Sequence, residues 1–375
     1  MLKTSPSVVH ERIFPKGGTY VLLVADSLAE RRTSMDLYAH WVHDALVASR
    51  DGLKYELLQV PVNAQGGQLA LKWRGLRQRY WTIPRAIRSR QADIVHILDP
   101  AYGHLVPTAA PAPVVVSCHD LIPVESQRWR GSRKAFSPGW HLYKRAIGNL
   151  SKADAIVVPT AATKYRVESL LSQIGDKVWV IPYGVDEAFH KARWTRPQSI
   201  LRVLHVGTNA AYKQIELVVD TVMILAARGH PVELVKAGPP LAAPLADRVT
   251  ASGARLVQLG EVSNLSLPKT YSDATLLLFP SSREGFGLPV AEALAVGLPV
   301  VASKIDSLEE VSGGRAMHIA GEASSLADAV EALVNKPLAL ERMSAEGRMW
   351  AGRFRWEAHA NSLRDVYTAV NGTKS

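Results

Sequence analysis

Short apolar runs recur along this chain, separated by segments in which apolar residues return every three or four positions. The runs at 20–25, 55–60, 94–98, 114–117, 155–158 and 178–181 are short and largely uninterrupted, so they predict strands covered on both faces. Between them, 35–48, 69–90 with a break near Pro84, 138–152 and 161–171 carry helical spacing. After a polar, basic and proline-containing stretch at 190–199 the alternation resumes. It predicts strands at 201–206, 232–237, 256–259, 276–279 and 299–302, and helices at 215–227, 241–251, 289–296 and 324–334. Such alternation implies two α/β units, each a mainly parallel sheet with helices on both faces, whose strand ends meet across a cleft.

Length agrees, because 375 residues exceed what one hydrophobic core usually organises. No segment approaches the roughly 18 uninterrupted apolar residues of a spanning helix. The first 18 residues lack the apolar centre of a signal peptide, so a cytoplasmic protein is expected. Cys118 is the single cysteine, which excludes an intrachain disulfide and a cysteine-built metal site. At the end of Val114-Val115-Val116 it reads as a buried thiol rather than a nucleophile.

The formal charge of +10 points to anionic company: nucleic acid, anionic lipid or phosphorylated small molecules. Lys72, Arg74, Arg77, Arg79, Arg85, Arg88 and Arg90 fall in one acid-free segment, with Trp73, Leu76 and Tyr80 at near-helical spacing among them. That pattern fits an interfacial helix on an anionic membrane, and equally a soluble helix burying the aromatic stripe. Arg128, Trp129, Arg130, Arg133 and Lys134 form a second basic and aromatic group.

Candidate chemistry gathers at predicted strand ends. After 276–279 come Glu284, Gly285, Phe286, Gly287, Leu288 and Pro289, then Glu292 inside the following helix. The glycines permit a tight turn, and the helix start offers unpaired N–H groups to an anion between two carboxylates, a layout suited to a sugar nucleotide. His119 and Asp120 follow the fourth strand directly, where His119 can serve a sugar or phosphate or merely tie down its loop. Gly207 and Lys213 follow the first strand of the second unit, where a lysine can reach a diphosphate. His96 reads as an interior residue, and His104, His141 and His205 have no metal-site spacing. Neither a P-loop nor a G-x-G-x-x-G fingerprint is present, which disfavours an ATPase or an NAD enzyme.

Glu284 through Glu292 resembles the E-x7-E signature of the retaining GT-B glycosyltransferases of family GT4, the glycosyl transferases group 1. Leu259-Gly260-Glu261-Val262, Tyr271-Ser272-Asp273-Ala274, Phe279-Pro280-Ser281 and Gly297-Leu298-Pro299-Val300-Val301-Ala302-Ser303 are similar to the same family in the same order. So are His119-Asp120-Leu121, the interdomain segment Pro182-Tyr183-Gly184-Val185-Asp186, and Arg355-Trp356-Glu357 leading into a terminal helix that crosses back.

The resemblance implies a GT-B fold: an acceptor-side Rossmann-like domain at 1–192, completed by a helix at about 355–375, and a donor-binding domain at 193–354. It implies transfer of a hexose from a UDP- or GDP-sugar to a hydroxyl acceptor such as a lipid-linked or cell-envelope glycan, with retention and without metal or other cofactor, while the basic first-domain segment points to an anionic membrane surface on the acceptor side. Glu284 would contact the donor sugar, Glu292 the ribose, and the backbone of Gly285, Phe286, Gly287 and Leu288 the sugar and diphosphate. Gly207 and Lys213 would complete the donor site, with His119 beside the reacting centre. Asp120, Arg31 and Arg32 are the acceptor-side candidates. Thr208 and Tyr212 stand where this family often carries basic residues, and 26–35 replaces its glycine-rich first loop. A nucleotide-sugar epimerase or hydrolase of the same fold is the alternative. A basic nucleic-acid-binding protein is disfavoured because no reader motif is present.

Overall fold

The computed structural model describes residues 18–30, 33–62, 67–125, 138–172, 174–195 and 199–372. Six strands form the first sheet: β1 (Tyr20–Val24), β2 (Lys54–Leu58), β3 (Ile94–Ile97), β4 (Val114–Ser117), β5 (Ala155–Val158) and β6 (Val178–Val180). Their order is β2-β1-β3-β4-β5-β6, and every pairing is parallel. The second sheet contains β7 (Leu201–Val206), β8 (Val232–Ala237), β9 (Arg255–Gly260), β10 (Leu276–Phe279), β11 (Val300–Ser303) and β12 (Met317–Ile319). It runs β12-β11-β10-β7-β8-β9, again parallel.

Both faces of each sheet are covered, as the apolar runs require. On β1, Leu22 and Val24 enter one core while Val21 and Leu23 enter the other. On β10, Leu277 and Phe279 divide from Leu276 and Leu278 in the same way. This period-2 alternation between two cores is why polar residues are scarce in these strands. Cys118 is fully buried, and burial raises its thiol pKa well above the usual range.

Several elements differ from the expectation or add to it. The 69–90 segment is a helix Gln68–Arg77, a wide five-residue turn Gln78–Thr82, and a helix Ile83–Arg88 with Pro84 in its first turn, so the break precedes the proline. A short edge strand, β12, extends the second sheet, and a helix Pro337–Ala351 follows Ala323–Val334. That helix buries only Leu340, Gly347 and Ala351, too narrow a stripe to stand out as a pattern. Gly347 lets it lie against Leu294, whose Cδ2 a Cβ there would meet at 2.9 Å.

The final helix, Trp356–Gly372, returns to the first sheet. Its Ala360, Leu363, Val366, Tyr367 and Val370 complete the core that holds Val21, Tyr38 and Val42. The two passages between the units touch, with the Val185 N–H donating to the Phe354 carbonyl at 3.0 Å.

Candidate active site

Two turns at the carboxyl ends of β7 and β10 are tied together. The Tyr212 carbonyl accepts from the Ser282 N–H at 2.8 Å and from Ser281 Oγ at 3.1 Å. This lets Lys213 Nζ meet Glu284 Oε1 at 2.6 Å, with both side chains nearly buried. Lys213 Nζ also lies 4.8 Å from the centre of the Phe279 ring. A pair so nearly buried interacts in a low local dielectric, where each charge depends on its partner.

The helix Leu288–Val296 begins at Gly287, whose φ of 94° is left-handed. The expected row of unpaired N–H groups is shorter than the sequence suggests: Val290 and Ala291 donate to the Gly287 carbonyl at 2.8 and 3.3 Å and Pro289 has no N–H, which leaves the Leu288 N–H between Glu284 in the turn and Glu292 within the helix. Glu292 is nearly buried and accepts from the Tyr271 hydroxyl at 2.6 Å. Burial raises its pKa from 4.5 to about 7, Asp186 adds to the rise, and the tyrosine bond opposes it.

The first unit meets this turn directly. A Cβ on Gly285 would lie 1.8 Å from the His119 carbonyl oxygen, so contact between the units by itself requires glycine here. The Gly285 carbonyl accepts from Thr160 Oγ1 at 2.8 Å and Thr163 Oγ1 at 3.0 Å. Arg166 donates to the Glu284 carbonyl at 3.1 Å. In the other direction, Glu310 receives the Ala161 and Ala162 N–H groups at the start of the helix Ala161–Leu170, at 2.7 and 3.1 Å. None of these four side chains stood out in the sequence. The T-x-x-T pattern before a helix was the readable sign, because Thr160 also caps that helix through the Thr163 N–H.

His119 is brought to the site and held on both ring nitrogens. Its Nε2 lies 2.6 Å from the Leu98 carbonyl, an acceptor, so Nε2 carries hydrogen and Nδ1 receives the Tyr183 hydroxyl at 2.6 Å. Tyr183 packs on Phe286 with ring centres 4.9 Å apart, carrying the contact into the second unit. Asp120 Oδ1 accepts from the Ile122 N–H at 2.9 Å, orienting its own loop.

His96 is interior as expected, bonded to Tyr367 and Ser117 and lowered to a pKa of about 3 by burial. Among the described residues no group of three His, Cys, Asp or Glu side chains gathers as a metal site. Arg31, Arg32 and the 128–134 basic group lie outside the described residues.

The expectation of a basic helix resolves differently along its length. Of the stripe, Trp73 and Leu76 are 67% and 44% exposed, beside Leu69 at 71%, while Tyr80 is half-buried with its ring centre 4.8 Å from that of His104. Arg79 instead turns inward, pairing with Glu30 at 3.3 Å and donating to the Ala101 carbonyl. A depression of about 540 Å³ lined by Glu30, Leu71, Lys72, Leu76 and Arg79 lies beside the exposed stripe. A larger one of about 660 Å³, between the helix Ile215–Ala227 and residues 321–324, holds none of the groups singled out above.

Comparison with known proteins agrees with this arrangement. Residues 17–189 match the Glycosyltransferase Family 4 description and residues 201–336 match Glycosyl transferases group 1. The chain belongs to the GT4 family of GT-B glycosyltransferases. It is 26% identical over 317 residues to the serotype-specific mannosyltransferase WbdA of Escherichia coli, covering 76% of this chain and 38% of that protein. The chain therefore spans about two fifths of that relative's length. It is 25% identical over 296 residues to the phosphatidyl-myo-inositol mannosyltransferase of Mycobacterium tuberculosis, covering 75% of each. Anabaena HepE, solved with UDP and glucose, shares the fold with a TM-score of 0.70 at 16% identity, covering 94% of this chain and 100% of that one. Both matches describe glycosyltransferases, one to each unit of the chain.

Proposed function

We propose that this enzyme is a retaining, metal-independent hexosyltransferase that moves a sugar from a UDP- or GDP-sugar to a hydroxyl of a lipid-linked or cell-envelope acceptor at an anionic membrane surface. The observation that carries the donor assignment is the Lys213–Glu284 pair beside the start of Leu288–Val296, with Glu292 deeper along the same helix. In this reading the diphosphate draws Lys213 from Glu284, which then turns to the sugar hydroxyls. Glu292 takes the ribose, and the backbone at 285–288 and Gly207 lines the phosphates. The lysine and the helix end meet charge that a divalent ion meets elsewhere. His119 acts beside the reacting centre by exchanging one of its two present partners for a donor hydroxyl. Residues 1–192 with the final helix form the acceptor side, and 193–354 the donor side.

Catalysis then comes from orientation across the closed cleft and stabilisation of the departing diphosphate, where one well-placed donor contributes about 3 kcal/mol. HepE's bound UDP supports UDP as donor. The mycobacterial relative, named for a phospholipid, supports a lipid acceptor.

The exposed Leu69, Trp73 and Leu76 face supports the membrane part, because a soluble helix would have buried that stripe. Lys72 and Arg77 are exposed on the same helix, and Arg85 and Arg88 on the helix Ile83–Arg88 that follows. Donor screening with and without a lipid-extract acceptor tests the transfer, and NMR of the product anomer tests retention. Equal turnover without acceptor favours the hydrolase or epimerase. A product of inverted configuration overturns retention. Charge reversal at Lys72, Arg77 and Arg88 is expected to abolish sedimentation with anionic liposomes at low salt while leaving nucleotide binding intact. Failure of the unmodified protein to sediment removes the membrane surface.

A further inference from the structure

Lys236 occupies a strand position that the pattern reserves for apolar side chains. All six residues of β8 are buried, and Lys236 is fully so. Its Nζ donates to the carbonyls of Gly207 at 2.6 Å and Ala237 at 3.2 Å. Among the described residues no carboxylate pairs with it. A buried ammonium met only by carbonyls is destabilising to the free protein, so a compensating anion is the natural question to ask of its surroundings.

The partner it holds gives the answer. The Gly207 carbonyl belongs to the trans peptide joining Gly207 to Thr208, and in a planar trans unit the N–H points away from the C=O. With the carbonyl drawn onto Lys236, the Thr208 N–H points away from the core. Thr208 is exposed, and no protein group among the described residues accepts from that N–H. Gly238 permits the arrangement, since a Cβ there would lie 2.4 Å from the Gly207 oxygen and 3.3 Å from Lys236 Nζ. Lys213 borders the same glycine, whose Cβ would lie 3.7 Å from Lys213 Cε.

We infer that Lys236 is a buried positioning cation for the donor site: it pins the Gly207–Thr208 peptide so that the Thr208 N–H, with Lys213, receives the donor's diphosphate. The inference rests on the donor-site reading proposed above. It accounts for the uncharged Thr208, because the positive charge sits one layer beneath the turn instead of on it.

Burial alone lowers the lysine's pKa to about 8, and an arriving diphosphate restores the charged form. Its registered neighbour on β7 is His205, kept neutral by burial with a pKa of about 3. β9 places the uncharged Gln258 opposite. On the packed helices Glu216 and Asp247 are exposed and Asp220 pairs with Arg248. Lys213 and Glu284 are paired with each other, and Glu292, near 7, is already ionised above pH 8.

Calorimetric titration with UDP and with GDP at pH 8.5, in two buffers of different ionisation enthalpy, tests this. The wild-type protein is expected to take up about half a proton or more per nucleotide bound. Lys236→Met, which fills the volume without the charge, is expected to lose that uptake, weaken nucleotide binding about tenfold, and raise the donor KM more than it lowers kcat. Wild-type binding without proton uptake overturns the inference and needs no variant. So does a folded Lys236→Met protein with unchanged affinity and uptake. Absence of binding by either nucleotide to the wild type instead removes the donor-site reading itself, and this inference with it.

Discussion

The two sheets share a parallel architecture, yet the groups above their strand ends differ in kind. Over the second sheet sit formal charges in low dielectric: Lys213 against Glu284, Glu292 under Tyr271, and Lys236 beneath Gly207. Over the first sheet, apart from Asp26, Asp99, Asp120 and the Arg79–Glu30 pair, the polar groups are rings and hydroxyls bonded to one another: His96 to Tyr367 and Ser117, Tyr38 to Ser117, Tyr183 to His119. Burial keeps His96 and His359 neutral, with pKa values lowered to about 3 and 4. One side is built to meet charge and the other to hold geometry. An enzyme that grips a diphosphate while aligning a hydroxyl needs both, and separating them keeps the donor's charge from repolarising the aligning groups.

The strongest way to break this comparison is to part the two sides. Gly285→Ala places a Cβ against the His119 carbonyl, so the closed arrangement cannot form. Turnover at saturating donor is expected to fall about 100-fold or more, while UDP affinity changes less than about threefold. Steady-state kinetics beside calorimetry reads both. Undiminished kcat would show that the contact between the units is dispensable.

A smaller effect, of opposite sign for stability and function, is expected from Glu292→Gln. The folded pKa of about 7 lies above the ordinary 4.5, so the native state keeps a proton that the unfolded chain releases. This group's stabilisation is complete below about pH 4.5 and is lost as pH rises to about 7. The amide variant therefore gains on the order of 2–3 kcal/mol over wild type at pH 8 and little at pH 4, while donor binding weakens. Thermal melts at the two pH values decide it, and equal melting-temperature differences at both would refute the buried-carboxyl account.

The smallest expected effect sharpens the aligning side. Tyr183→Phe removes the hydroxyl from His119 Nδ1 and is expected to cost about 1 kcal/mol of stability and less than tenfold in kcat, with donor KM unchanged. A raised donor KM would mean that the aligning groups also bind the donor.

Much of the donor side was legible in the chain because its groups lie close together in sequence. Glu284, Gly287 and Glu292 fall within one turn and the helix that follows it, and local spacing already places them near each other. The aligning side was far less legible. Thr160 and Thr163 reach Gly285 across more than 120 positions, and His96 reaches Tyr367 across 271. The close approach of Gly285 to the His119 backbone had no counterpart in the local spacing. The amphipathic pattern of the basic helix could not say which way its apolar stripe turned. Packing decided that, by drawing Gly75 and Arg79 inward and leaving Trp73 outside.

The crossing of the chain between its units has a mechanical consequence. It passes once at 182–186 and again just before Trp356, and a Cβ on Gly184 would lie 2.4 Å from the Trp356 nitrogen, so the two tethers run side by side. A body fastened by adjacent tethers swings like a door and has little freedom to slide. The Thr160 and Thr163 hydroxyls on Gly285, and Glu310 on the facing helix, are then the catch that holds that door shut.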